Sequence, residues 1–246
     1  MQDKQQVLLS QDQIAAFYHD CFVDSQVKDF VTLLGSSINT VTGSIIDVGG
    51  GAGFFAKAIQ DRLAIKVSVL DSDAKSVNLC HQAGIEAVHG DALNPLITGR
   101  DNIVCFNLIL HHLVGKSEDE TLDLQRRALS VWHPYARAVF VNEYIYESFV
   151  INDFSGGLIY KITSSPLLSR VGDLVAKFIP SLKANTFGVG VRFRSRAEWQ
   201  RIFTSLGFEI IDTVKGMEEG VSFARRLLLI KNCRRDSFLL RPLLSK

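Results

Sequence analysis

The residues with the most chemical content are a glycine cluster, three acids and a pair of histidines. Asp47-Val-Gly49-Gly50-Gly51-Ala-Gly53 follows the apolar run Ser44-Ile-Ile-Asp-Val48 and precedes a helix-like run at 54–63. Glycines belong where a ligand must come close to the backbone, because no Cβ intervenes and the turn is free to take positive φ. Two nucleotide-binding loops are excluded by counting. A dinucleotide fingerprint, G-x-G-x-x-G/A, started at Gly49 and Gly51 needs a small residue where Phe54 stands, and the P-loop string G-x-x-x-x-G-K-[ST] does not occur. A second acid, Asp71, closes the run Val67-Ser-Val-Leu-Asp71, while Ser72 or Asp73 is the natural N-cap of the helical segment that follows. His111 and His112 come after the apolar run 102–108, and Asn142 and the third acid, Glu143, stand at the end of the run 138–144. A histidine has the ordinary pKa to take a hydroxyl proton near neutrality, a contribution of roughly 10²- to 10⁴-fold where it is well placed.

Alternating elements must position these residues. Strand-like runs at 44–48, 66–70, 86–89, 102–108 and 138–144 interleave with helix-like runs at 54–63, 74–83 and 117–131. A helix at 196–206 and strands at 208–214 and 223–230, with a hairpin at 217–220, complete the count. The pattern predicts an α/β fold of the Rossmann-like, doubly wound kind, with a mostly parallel seven-stranded sheet. After the fifth strand, residues 145–191 are too long and too apolar for a bare loop, so a helical insertion is expected there. The organisation expected is an N-terminal helical cap over 1–43, with helical spacing at 12–34, and a core of 44–144 plus 192–232. The insertion spans 145–191, and a basic tail spans 233–246.

The string D-x-G-x-G-x-G resembles the class I S-adenosylmethionine (SAM)-dependent methyltransferases, at motif level over residues 44–144. The resemblance implies that Gly49, Gly51 and Gly53 lie against the cofactor, and that Asp47 neutralises its amino group directly or through water. Asp71, with Ser72 beside it, is implied to hold the ribose hydroxyls. His89-Gly90-Asp91-Ala92 resembles the family's third motif, which would set Asp91 and Ala92 at the adenine, although Gly-Asp also marks an ordinary turn. Ala15-Ala-Phe-Tyr18-His-Asp20 resembles an A-x-x-Y-D segment that closes over the cofactor, which makes Tyr18 a candidate contact. Leu110-His111-His112-Leu113 is similar both to the L-H-H-L of small-molecule methyltransferases and to the L-H-D-W of oxygen methyltransferases. His111 is thereby the candidate base. His112 and Glu143 are candidates for orienting the substrate, and Asn107 lies on the cofactor side of the fourth strand. S-adenosylhomocysteine (SAH) would be the product, and no metal is expected. The family's markers for other chemistries do not occur: Asn107-Leu-Ile-Leu110 stands where amine methyltransferases of nucleobases carry [DNS]-P-P-[YFW], and there is no Pro-Cys pair.

Composition sets the remaining bounds. The 246 residues are 47% hydrophobic and 22% charged, an ordinary globular balance. The richest apolar run, 103–114, is broken by Asn107, His111 and His112, so no membrane-spanning segment is expected. A polar start and four scattered cysteines, Cys21, Cys80, Cys105 and Cys233, point to the cytoplasm. Residues 222–246 carry seven Lys/Arg against one Asp. The reading is a methyltransferase acting on oxygen or nitrogen of a small-molecule acceptor, as in secondary-metabolite biosynthesis, with no nucleic-acid partner. The aromatic content of the insertion points to an apolar or aromatic acceptor. Three alternatives remain at this stage. They are a tRNA or nucleic-acid methyltransferase using the basic end, an enzyme like carboxy-SAM synthase, and a non-catalytic cofactor-binding partner. Arg192, Arg194 and Arg196 would bind an anion on the acceptor or form a solvated edge. The 43 residues before Ser44 are too few for the dimerisation domain of plant-like oxygen methyltransferases, which leaves a homodimer open.

Overall fold

A computed structural model describes residues 22–35, 44–96, 102–150, 153–179 and 186–243. The seven strands are β1 (Ile45–Val48), β2 (Val67–Asp71), β3 (Glu86–His89), β4 (Asn102–Asn107), β5 (Ala136–Ser148), β6 (Phe208–Val214) and β7 (Ile230–Pro242). They form one sheet in the order β3-β2-β1-β4-β5-β7-β6. Pairing is parallel from β3 to β5 and antiparallel on both sides of β7. The strand order reverses direction between β1 and β4, and in open sheets of this kind the crevice beyond the carboxyl ends at that point is where ligands bind.

The central strands are buried on both faces because their residues alternate between two cores. Ile103, Cys105 and Phe140 face one side, with Ile45, Val67 and the helices α1 (Val23–Leu34), α2 (Phe54–Leu63) and α3 (Ala74–Gln82). Val104, Phe106, Val139 and Val141 face the other, with α4 (Glu118–Ser130) and α7 (Arg196–Ser205). Several helices begin at a side-chain cap. Asp73 caps α3 by accepting from the Ser76 amide at 2.9 Å, and Ser117 caps α4, whose first turn is Glu118-Asp119-Glu120. The insertion holds two helices, α5 (Phe154–Ser164) and α6 (Pro166–Phe178), the second capped by Ser165 with proline at its first position. Among the described residues no helix is long and apolar enough to cross a membrane.

Two expectations are corrected here. Residues 223–230 are not a strand: Phe223–Arg226 is a short helix, α8, and the last strand starts at Ile230. The expected tail from 233 is therefore sheet as far as Pro242. Its charges hid it: Arg234 and Asp236 sit two residues apart on one face and bond each other at 2.9 Å, both buried, so a strand looked like a solvated run. β5 likewise continues beyond 144 to Ser148, and the paired ends of β5 and β7 stand as a ribbon above the carboxyl edge of the sheet. Residues 12–21 of the expected N-terminal helix, Tyr18 and Cys21 included, lie outside the described residues.

Phe30 fastens α1 to the sheet. Its ring meets Phe55 and Phe140 edge-on at 5.6 and 5.3 Å, and it has no solvent exposure. Phe30→Ala is expected to lower unfolding free energy by about 3–5 kcal/mol, measured by urea denaturation, through lost burial and the cavity left behind.

Candidate functional site

The glycine turn closes off β1 and opens α2. Gly49 and Gly51 both have positive φ, 68° and 56°. A Cβ on Gly49 would lie 2.5 Å from Cγ1 of Ile109, so that backbone is in contact with the segment leading to the histidines. A Cβ on Gly51 would meet nothing within 4 Å, which marks the open side of the turn. Gly53, also left-handed, is the N-cap residue of α2 and makes no side-chain cap.

Asp47 is buried beneath this turn, 1% exposed. Its Oδ1 accepts from Nδ2 of Asn107 at 2.9 Å, and its Oδ2 has no hydrogen-bond partner. Burial pushes its pKa up to about 7; the Asn107 hydrogen bond opposes that rise and the charge of Asp71 adds to it. No cation pairs with Asp47 among the described residues, so a buried carboxylate stands ready for a positive ligand group. Asp71 closes β2 with each oxygen accepting one amide at 2.8 Å, Oδ2 from Gly51 and Oδ1 from Asp73. Burial raises its pKa while those two amides pull it down. Each oxygen keeps a second lone pair for a further donor. The cap of α3 is Asp73, which leaves Asp71 free of that duty. Ser72 is exposed, and its carbonyl is 2.9 Å from Nε2 of His89. Asp91 is exposed and makes a local turn, accepting from the Leu93 amide and from Nδ2 of Asn94, while Ala92 packs on the core.

At the end of β4 the chain turns sharply. Leu108 has φ of 55°, a left-handed conformation that costs a non-glycine residue, and its amide donates to the Asn142 carbonyl at 2.8 Å. The turn delivers a single 3-10 turn, Leu110–His112, onto β5. There Glu143, with no solvent exposure, accepts from the Leu110 amide at 2.7 Å and from Nδ1 of His111 at 2.6 Å. A carboxylate that accepts from Nδ1–H leaves the basic lone pair on Nε2. The His112 ring lies 4.2 Å from that of His111, tilted by 41°, and burial with the neighbouring His111 holds its pKa well below the ordinary value, so it is neutral at pH 7. Around His111 stand Phe193 at 5.0 Å and Tyr144 at 5.8 Å, with Tyr146 stacked on Phe193 at 4.2 Å.

The structure thus brings together Asp47, the glycines, Asp71, Asn107, His111, His112 and Glu143. Asn142 is turned away from them: it bonds Ser237 at 2.8 Å and Gln26 of α1. The three arginines are neither an anion site nor a solvated edge. Arg192 holds Glu118 at 2.8 Å and Asp153; Arg194 holds Gln125 at 2.6 Å and Glu118 at 3.3 Å; Arg196 holds Asp236 at 2.7 Å. Gln125 is the residue that sequence reasoning missed. It is fully buried, and while accepting from Arg194 it donates to the Leu110 carbonyl at 3.0 Å, bracing the histidine turn. A glutamine on the helix face that also carries Leu122, Ala128 and Leu129 was its only signal.

No protein-family model and no curated protein matches the sequence. Solved structures match in shape. A magnesium protoporphyrin IX methyltransferase from Synechocystis PCC 6803 with bound SAH is 15% identical, with 94% of this chain and 93% of that one covered and a TM-score of 0.53. The plantazolicin methyltransferase in complex with SAH is 11% identical, with 95% and 90% covered and a TM-score of 0.54. The mitomycin 7-O-methyltransferase is 14% identical at a TM-score of 0.53; 89% of this chain is covered, but only 54% of that longer chain. The chain has the fold of these methyltransferases. The likeness is one of architecture, with the seven-stranded order and the crevice at its switch point in common with the expectation from the glycine motif.

The buried acid gives a pH test. Asp47 in the folded, ligand-free chain keeps its proton up to about pH 7, whereas in the unfolded chain it releases it near 4. Between those values the native state binds the extra proton, so this group's contribution to stability is full at low pH and is lost as pH rises through about 7. From pH 5.5 to 8 the loss is about 2 kcal/mol, at roughly 1.4 kcal/mol per pH unit below pH 7. Urea denaturation of wild type and Asp47→Asn at both pH values is expected to show that difference in wild type alone.

Proposed function

We propose that the chain is a SAM-dependent methyltransferase that moves a methyl group to an oxygen of a small aromatic or apolar metabolite. The observation that carries this reading is the buried 2.6 Å contact of His111 Nδ1, on the turn after β4, with Glu143 Oε2, one residue beyond the last β4-paired position of β5. An amine acceptor has a lone pair already, so an oriented base is useful chiefly where a hydroxyl must lose a proton. Asp47, Gly49, Gly51, Gly53, Asp71, Ser72, Asp91, Ala92 and Asn107 would hold the cofactor. Asp47 supplies the negative charge for a cationic amino group, and Asp71 supplies the spare lone pairs for a diol. Bound SAM supplies an electrophilic methyl on a sulfonium, and the protein's part is alignment, exclusion of water and proton removal. His111 Nε2 takes the acceptor's proton. Glu143 is a positioning residue: it fixes the imidazole through Nδ1–H and stabilises the imidazolium that forms. His112, neutral and in contact with the His111 ring, orients the acceptor from the adjoining side. Within the insertion, α5 packs beside the aromatic wall and serves as part of the acceptor's cover.

No observation favours the alternatives. Three of the four basic residues of the last strand are paired with acids, Arg234 with Asp236, Arg235 with Glu219 and Arg241 with Glu209. They do not form an open stripe for a phosphate backbone. The arginines that a carboxylated cofactor would require are committed to Glu118, Asp153 and Asp236.

Methyl transfer from labelled SAM to a panel of simple phenols is the test. His111→Gln is expected to slow turnover about 10²- to 10⁴-fold with SAM affinity unchanged. Glu143→Gln should lower kcat and leave KM for SAM alone, with partial recovery in Glu143→Asp. By calorimetry, Asp71→Ala should weaken SAM binding by about tenfold or more, the scale of one charge-assisted contact. A chain that binds neither SAM nor SAH overturns the reading.

A further inference from the structure

Helix α6 turns its apolar side to the solvent. It rests on the fold through small residues: Ser169 and Ala176 are buried, and a Cβ on Gly172 would lie 2.8 Å from the Phe187 ring. Its large residues face outward, with Leu167 73%, Val171 59%, Leu174 55% and Phe178 81% exposed. At about 3.6 residues per turn, Leu174, Leu167, Phe178, Val171, Val175 and Leu168 follow one another round an arc of about 120°. One edge of that arc adjoins the buried stripe of small residues. Along the other edge run Lys177 and Arg170, both exposed. The helix's one acid, Asp173, lies beyond these cations, with its carboxylate 4.0 Å from Lys177 Nζ. More than half of the exposed large apolar side chains among the described residues belong to residues 145–191, so this face is a concentration and not a scatter.

Single exposed apolar side chains are ordinary, but a continuous arc of them on one helix marks a surface that something else covers. The charges identify the occupant. Arg170 and Lys177 stand where long side chains can lay their stems along an apolar layer and extend their cationic heads to anions at its border. A second copy of the helix would bring no acid to that edge, because Asp173 is on the far side of the cations. Anionic headgroups over a hydrocarbon layer meet the apolar arc and the cationic border together. From this arrangement we infer that α6 docks on the surface of an anionic lipid bilayer, with its apolar arc at the acyl boundary and Arg170 and Lys177 among the phosphates. The helix lies in the plane of the membrane and does not cross it: its 13 residues reach about 20 Å, short of the roughly 30 Å hydrocarbon core. The inference concerns where the chain is held, and it stands apart from the chemistry proposed at His111.

The probes are sucrose-loaded vesicles, one set of phosphatidylcholine alone and one of equal parts phosphatidylcholine and phosphatidylglycerol, sedimented with the full chain. Wild type is expected to sediment with the mixed vesicles, and less so as salt is added. Arg170→Gln with Lys177→Gln, and separately Leu174→Gln with Phe178→Gln, are each expected to weaken partitioning about tenfold or more. Urea midpoints of both double variants should match wild type, since all four side chains are exposed. If one double variant fails to fold, the other and the salt dependence of wild type decide. No sedimentation with the mixed vesicles, equal sedimentation with both sets, or binding undiminished in either folded variant overturns the inference. So does a lipid-free dimer, seen by analytical ultracentrifugation, that Leu174→Gln with Phe178→Gln dissolves, because the face then belongs to a second copy of the chain.

Discussion

The carboxylate of Glu143 is a charge with no access to water, and much of the site's geometry follows from satisfying it. A buried carboxylate is tolerable only where donors converge on both oxygens. Here the donors are the Leu110 amide, the His111 ring and, at 3.2 Å, the Tyr144 amide. Two of the three come from the turn after β4, so that turn cannot sit elsewhere. The left-handed Leu108, the Gln125 brace on the Leu110 carbonyl and the Arg192 amide on the His111 carbonyl at 2.9 Å all hold the same three residues from other sides. The histidine is thus fixed by the backbone on which it rides as well as by its partner, which is the preorganisation that proton transfer requires.

Asp47 and Asp71 stand at the carboxyl ends of β1 and β2, Glu143 lies one residue beyond the last position of β5 that pairs with β4, and Glu143 pairs in register with Asp236 of β7. Each is answered by a different kind of group: an asparagine for Asp47, backbone amides for Asp71, a histidine for Glu143 and two arginines for Asp236. Only Asp47 keeps an oxygen without a partner, and it is the one whose pKa burial lifts to neutrality.

The glycine turn, the acid after the second strand and the cap at Asp73 were legible because each is a local matter of spacing between neighbours. The histidines and Glu143 were visible one at a time, but their contact spans 32 positions and no periodicity records it. Distance along the chain also hid the fate of Arg192, Arg194 and Arg196. Their partners, Glu118, Asp153 and Asp236, lie on other elements, and a charge seen without its counter-charge looks solvated. The last strand failed for a related reason, since Arg234 and Asp236 neutralise each other on one face while Phe238 and Leu240 supply the buried alternation. Tyr146 was read with the insertion because its strand outruns the rest of the sheet.

The position of β7 between β5 and β6 carries a consequence for how the chain reaches this form. β6 precedes β7 in the sequence yet pairs with nothing else in the sheet. During synthesis β6 emerges as an orphan with its backbone groups open, and the first five strands present a bare margin at β5 until the later segment threads between them. The β1–β5 part of the sheet is built from consecutive parallel units, whereas the pairings on both sides of β7 close over long sequence separations, the kind of contact that forms slowly.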